Sequence, residues 1–231
     1  MIRRLAFVLI GITAAALVPA LASGVTVASS TLDTYQTCVL SGVSSASTAV
    51  ADTFVNQGSP NATFGSNTAM NVQSRTNQNR RVYVRFDTTL CSPAIPAATT
   101  VTDARLDLFV TARAAVCRTI DVFALDTSWA ESTVTWNNQP VGTIPNNPPT
   151  SELSASTTIG AAPCTYTTTN VYASWTVTAD VASWVAGATT NHGWMLRDDS
   201  ENGGTTRLTR FATSEADNAA RAPRLVITYQ P

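Results

Sequence analysis

The sequence contains no lysine; its basic side chains are arginines and a single histidine, His192. Fourteen arginines stand against 15 acidic residues, a formal net charge of −1. So balanced a chain has no field to draw in a phosphate backbone or an anionic bilayer, and no nucleic-acid or lipid partner is expected. The signatures of common catalytic sites are missing as well. There is no Gly-x-Ser-x-Gly elbow, no His-Glu-x-x-His, no phosphate loop and no dinucleotide fingerprint. His192 lies between Asn191 and Gly193, which reads as a turn rather than a general base. A carboxylate pair that meets only in space leaves no local pattern, so a glycosidase stays open on this count. Lys is absent and Glu and Leu are few, while Thr, Val and Asn are abundant beside Ala, a β-rich profile.

Only the first residues are apolar enough to enter a bilayer. Arg3-Arg4, an apolar run from Leu5 to Val18 and the small residues of Pro19-Ala-Leu-Ala22 have the layout of a secretory signal peptide over residues 1–22. A retained anchor is the alternative, but the run is short for a span and ends in the cleavage pattern. The mature protein is therefore expected to be secreted or at the cell surface, with no membrane contact after cleavage. Residues 23–48 read as a Ser/Thr-rich extension, and residues 49–231 as one domain. Cys38, Cys91, Cys117 and Cys164 are even in number, widely spaced and without Cys-x-x-Cys, which in an exported chain reads as two disulfides. Three pairings are possible. Cys38–Cys91 with Cys117–Cys164 is preferred, because Cys91 and Cys117 bracket an extended strand of ~30 Å.

Period-two alternation marks the strands. Arg80–Asp87 is the clearest: Val82, Val84 and Phe86 share one face, and Arg81, Tyr83, Arg85 and Asp87 the other. Val101–Thr111 follows, and Arg118–Leu125 is expected to pair with it as a hairpin. In Trp129–Pro140, Val134 and Trp136 alternate with Thr133, Thr135 and Asn137, so a strand is expected there. Its two indoles are read mainly as core that pins the sheet to a covering loop, with stacking on a sugar face as the alternative. Val141–Thr169 carries four prolines and reads as a loop with little regular structure. Asp180–Gly187 is the one short helix, with Asp180 as N-cap. Strands resume over Ser174–Thr178, Gly193–Arg197, Thr206–Phe211 and Arg224–Tyr229. Many short strands with one helix indicate an all-β jelly-roll sandwich.

Ala51-Asp-Thr-Phe-Val, Asn61-Ala-Thr-Phe-Gly, Arg80–Asp87, Trp129-Ala-Glu-Ser-Thr-Val-Thr-Trp-Asn, His192-Gly-Trp-Met-Leu, Phe211-Ala-Thr-Ser-Glu215 and Pro223–Tyr229 occur in this order. The set resembles the DNRLRE-type domain over about Ala49–Gln230. Where that family often has Ser-Arg-Glu, this chain has Thr213-Ser214-Glu215. The resemblance implies a jelly-roll module of secreted and surface proteins. Some of its members are carbohydrate-binding modules for alginate-like acidic polysaccharides.

An acidic polysaccharide needs cations, and Arg81, Arg197, Arg207 and Arg210 recur on the strands, with Trp194 beside them as a candidate stacking ring. Arg85 is expected to be structural, paired with Asp87, Asp107 or Glu215, and Trp129 and Trp136 to be core. Asp198, Ser200 and Asn202 precede Gly203 at alternate positions like half of a calcium loop, but the twelfth position is Thr209, so a polar hairpin loop with no cofactor or metal is expected there, with calcium as the lesser alternative. The leading expectation is a secreted, non-catalytic module that binds a polysaccharide, uronic-acid-rich if the arginines are its contacts. The alternative is a structural surface protein, adhesin or filament subunit, that self-assembles through a strand in the extension. A polysaccharide-cleaving enzyme ranks below both.

Overall fold

The computed structural model of the chain describes residues 34–42, 49–141, 152–216 and 218–231. The expected leader lies outside them. The strands are β1 Gln36–Ser41, β2 Val50–Asn56, β3 Ala69–Ser74, β4 Arg80–Phe86, β5 Thr100–Ala112 and β6 Arg118–Ala124. They continue as β7 Leu153–Ile159, β8 Val171–Thr176, β9 Trp194–Asp198, β10 Arg207–Ala212 and β11 Arg224–Gln230, with one α-helix, α1 Thr178–Val185. No helix among the described residues is long and apolar enough to cross a membrane.

The strands pair antiparallel in the order β1-β11-β5-β10-β3-β4-β9-β6-β7, with β2 on β4 and β8 on β5. β3 and β4 meet only where Gln73 faces Arg80, and at that corner the sheet curls over itself. The result is an all-β, jelly-roll-like sandwich with a single short helix. Leu106, Leu108 and Val110 of β5 point into it from one half, and Val82, Val84 and Phe86 of β4 from the other, all buried. Each such side chain contributes about 1.5–3 kcal/mol by leaving water. Trp175 fills the centre. Its indole nitrogen donates to the Ile120 carbonyl at 2.9 Å, and its ring meets Phe211 edge-on at 6.0 Å.

The opposite face of β4 is not solvent-exposed. Tyr83, with Val55 of β2, Met195 of β9 and Phe123 of β6, forms a second apolar cluster roofed by Trp129, Val134, Trp136 and Val141. The roof is not the expected strand. Thr133 and Val134 both donate their amides to the Ala130 carbonyl, at 3.1 and 2.9 Å, and Asn138 Oδ1 accepts from the Thr135 amide at 2.6 Å. Turns and one asparagine thus satisfy the backbone that a neighbouring strand would have paired. Alternation survives because every second residue reaches down to the sheet.

Three further expectations change. β6 pairs with β7 and β9 and not with β5, because Arg113–Cys117 carries the chain across the sandwich instead of back along β5. The Val141–Thr169 stretch contains β7, an edge strand of Ser, Thr and Ala whose few large side chains leave no strong pattern. Helix α1 starts at Thr178, since the Asp180 carboxylate accepts from the Trp194 indole at 2.7 Å instead of capping.

β1 lies within the segment read as an extension, yet it pairs residue for residue with β11 of its own chain. Cys38 bonds to Cys91 and Cys117 to Cys164, with Cα separations of 5.6 and 5.3 Å. Closing loops of 53 and 47 residues stabilises by roughly 4 kcal/mol each in the chain-entropy description.

Candidate functional site

Three of the residues expected to contact ligand lie beneath the surface. Arg81 is 1% exposed, because the Trp129–Val141 roof covers its face of β4. Its Nε and Nη2 donate to the two Glu201 oxygens at 2.8 and 2.7 Å, its Nη1 to Gln139 at 3.3 Å, and its guanidinium lies 4.7 Å over Trp136. Arg197 is buried beside the same glutamate, at 3.9 Å, and over the Phe123 ring. Trp194 is a core side chain with no exposure. A ligand on the folded surface reaches none of the three. The rings of Trp129 and Trp136 are buried too, which leaves them no open sugar-stacking face.

The calcium-like spacing at Asp198 is used internally. Arg118 Nε donates to the Asp198 carboxylate at 2.9 Å, and Asn202 Oδ1 accepts from the Asn77 amide at 3.0 Å. Among the described residues no three acidic, His or Cys side chains are gathered as a metal would hold them.

A cleft of about 530 Å³ opens where β2 begins and β4 ends, against the Phe64–Ser66 turn and the start of the roof. Arg85, Glu131 and Glu215 line it, and Asp52 of β2 is fully buried beside it. Gly65 allows the close approach: a Cβ there would stand 2.7 Å from both Glu131 Cγ and its carbonyl oxygen. Asp52 Oδ2 accepts from the Ser214 amide at 2.9 Å and Glu215 Oε1 from the Ser214 hydroxyl at 2.8 Å. Asp52 Oδ1, Glu131 Oε1 and Glu215 Oε2 are buried without a hydrogen-bond partner. Burial first, then the charge of Glu215, pushes the Asp52 carboxyl up to about 8 and that of Glu131 up to about 7.

Arg85 and Glu215 share this cleft but form no ion pair among the described residues, contrary to the expected pairing. The guanidinium instead lies 5.6 Å over the Trp129 ring and reaches its carbonyl at a long 3.5 Å. Gly193, at φ +75°, lets the turn before β9 press on this strand, since a Cβ there would lie 2.3 Å from the Val84 carbonyl.

The cleft is one of four adjoining depressions. Ala51 and Arg85 also line a neighbour of about 390 Å³ that runs to Thr190 and Asn191. Thr190 in turn lines a third, of about 460 Å³, walled by Trp184, Asp180, Ser183 and His192. On the other side Ser66 leads into a fourth, also about 460 Å³, with Asn67, Asn71 and Arg210. Trp184 is the one tryptophan of five that is not buried. At the far end Arg210 is exposed and donates from Nε to Asn71 at 3.2 Å. Its charge bears on Arg80, half-buried over the Phe54 ring, whose guanidinium is held below its usual range by burial first and then by Arg210. Neither has a carboxylate within ion-pair distance among the described residues, and Arg80 Nε has no partner. Arg207, on the same strand as Arg210, is likewise without an acidic partner there and lies beside Gly203.

A groove with an aromatic ring at one end, hydroxyls and amides along it and guanidiniums at the other is suited to a chain of sugars. Residues 43–229 match carbohydrate-binding module family 96. The chain belongs to that family. No curated protein matches it. A carbohydrate partner follows for this family 96 module, and two disulfides accord with an extracellular setting. Sequence reasoning missed Trp184, which it read only as part of the short helix, and missed Arg80, Asp52 and Glu131 as site residues. Asp52 and Glu131 stood in the motifs that carried the resemblance, but nothing local showed that they meet.

Proposed function

We propose that this secreted family 96 module binds a polysaccharide without cleaving it, along the groove from Trp184 through Arg85 to Arg210, and that its ligand carries carboxylates. The continuity of the four depressions carries the reading: consecutive ones share Thr190, Ala51 with Arg85, and Ser66. Trp184 offers a flat apolar face for a pyranose ring. Arg210 and Arg80 are two like charges held near each other without an acid, and a uronate would supply the missing counter-charge through a bidentate contact. Arg207 adds to the same positive strand. Arg81, Arg197 and Trp194 hold the fold.

The reading without cleavage is supported by the match of residues 43–229 to a carbohydrate-binding module family.

The test is calorimetric titration with alginate, pectate and a neutral glucan at low and high salt. Binding of the uronates, weakening with salt, is expected. Trp184→Ala and Arg210→Ala should each weaken it by roughly 1–3 kcal/mol, with the unfolding midpoint unchanged in Arg210→Ala and lowered less in Trp184→Ala than in Trp136→Ala. Salt-independent binding of the glucan alone would remove the acidic-glycan reading, and unchanged affinity in both variants would remove the groove.

A further inference from the structure

We infer that the groove continues past Trp184 into a fifth subsite, and that this subsite takes a neutral sugar. It rests on the groove binding a sugar chain, and it adds the order of that chain: uronates at the Arg210 end, neutral residues beyond Trp184. A depression of about 350 Å³ lies where β7 begins and β8 runs into α1, lined by Glu152, Leu153, Ser154, Thr176 and Asp180 among others. It shares Ala124, Ala179 and Asp180 with the depression that Trp184 walls. The path along the surface therefore does not stop at the tryptophan ring.

The local fold shapes this end. The Ser154 hydroxyl accepts from the Ala124 amide at 3.1 Å, which ties the start of β7 to the end of β6. Leu153, one residue earlier, is 55% exposed at the depression. Across from it, Val177 is buried and donates its amide to the Ala104 carbonyl at 2.8 Å, which leaves Thr176 on the surface. An open apolar side chain among hydroxyls suits a pyranose, whose ring carbons pack and whose hydroxyls hydrogen-bond.

Charge sets the class of sugar. No arginine or histidine lines the depression, whereas Glu152 and Asp180 do. The Asp180 carboxylate is held in place by the Trp194 indole at 2.7 Å. It also stands in the first turn of α1, where it meets the partial positive charge of the helix start. At the opposite end of the groove Arg80 and Arg210 supply the positive charge. A uronate in the fifth subsite would face like charge, while the hydroxyls of a neutral sugar donate to the same carboxylates.

Residues 23–231 are titrated by calorimetry with size-fractionated oligosaccharides of alginate, in which every sugar is a uronate, and of gellan, in which neutral sugars separate the uronates. Affinity for gellan pieces should go on rising with length after alginate pieces have levelled off. Leu153→Ser should lower affinity for the long gellan pieces by about tenfold and leave short pieces and alginate unchanged. Glu152→Arg, a charge reversal at an exposed position, should let the alginate series gain with length as well. Failure of every oligosaccharide to bind would remove the groove and the subsite with it. Binding that levels off at one length for both polymers, or a gain with length that survives Leu153→Ser, would overturn the subsite alone. A wild-type alginate series that gains as much with length as the gellan series would overturn the neutral-sugar assignment.

Discussion

Arg81 and Glu201 meet through two parallel hydrogen bonds of 2.8 and 2.7 Å, sealed beneath the indole of Trp136. Both side chains are essentially without exposure, at 1% and 0%. A buried pair of this kind stabilises little against an apolar replacement of both partners, but loss of one partner strands the other charge. Glu201→Ala leaves the Arg81 and Arg197 guanidiniums facing each other. It should lower unfolding free energy by about 3–5 kcal/mol, read from urea midpoints. Arg81→Ala should likewise cost stability, whereas the affinity of the remaining folded protein for glycan should not fall.

The two tryptophan environments separate stability from binding. Trp136→Ala opens a cavity in the second cluster and should cost about 3–5 kcal/mol. Trp184 packs at 4.6 Å on Trp194 yet keeps a face toward the groove. Trp184→Ala should cost less stability than Trp136→Ala and more affinity. Chemical denaturation of both variants beside the wild type measures the first. Loss of glycan binding by folded Trp136→Ala with no loss of stability would contradict the assignment.

Stability should fall as pH rises from about 4 to about 8. Asp52, facing Glu215, Glu131 and the Ser214 amide, has its folded carboxyl raised from 3.8 to about 8, and Glu131 is raised to about 7. In that window the folded state holds protons that the unfolded state has released, so unfolding becomes easier with increasing pH. Asp198, raised chiefly by its burial, adds in the same direction. Thermal scans in chelator at pH 5 and pH 8 check the sign: Tm should be higher at pH 5, and Asp52→Asn should flatten the difference.

Alternation along β4 made its two faces legible, Val82, Val84 and Phe86 on one and Arg81, Tyr83 and Arg85 on the other. It does not tell what lies above a face. The Trp129–Val141 roof turned the arginine face into a second core, which is why Arg81 is no ligand contact. β7 stayed hidden because Ser154, Ser156 and Thr158 give an edge strand no apolar period. The disulfide pairing was readable from chain reach, whereas the link from β6 to β9 was not, since nothing near Arg118 encodes a partner so distant in sequence. Asp52, Glu131 and Glu215 are joined only through the β2–β4 register and the Gly65 turn. Trp184 was legible only as part of the short helix, since helical spacing does not tell how deeply α1, which fully buries only Val181, sits.

The central claim is that one continuous groove takes the sugar chain. Backbone amide NMR of residues 23–231, titrated with alginate oligosaccharides, tests it most directly. The groove predicts shifts that run through Ser183, Thr190, Arg85, Ser66, Asn71 and Arg210, with the outer face at Arg105, Phe109 and Tyr172 unmoved. Saturable shifts confined to that outer face, with the groove amides still, would contradict the account.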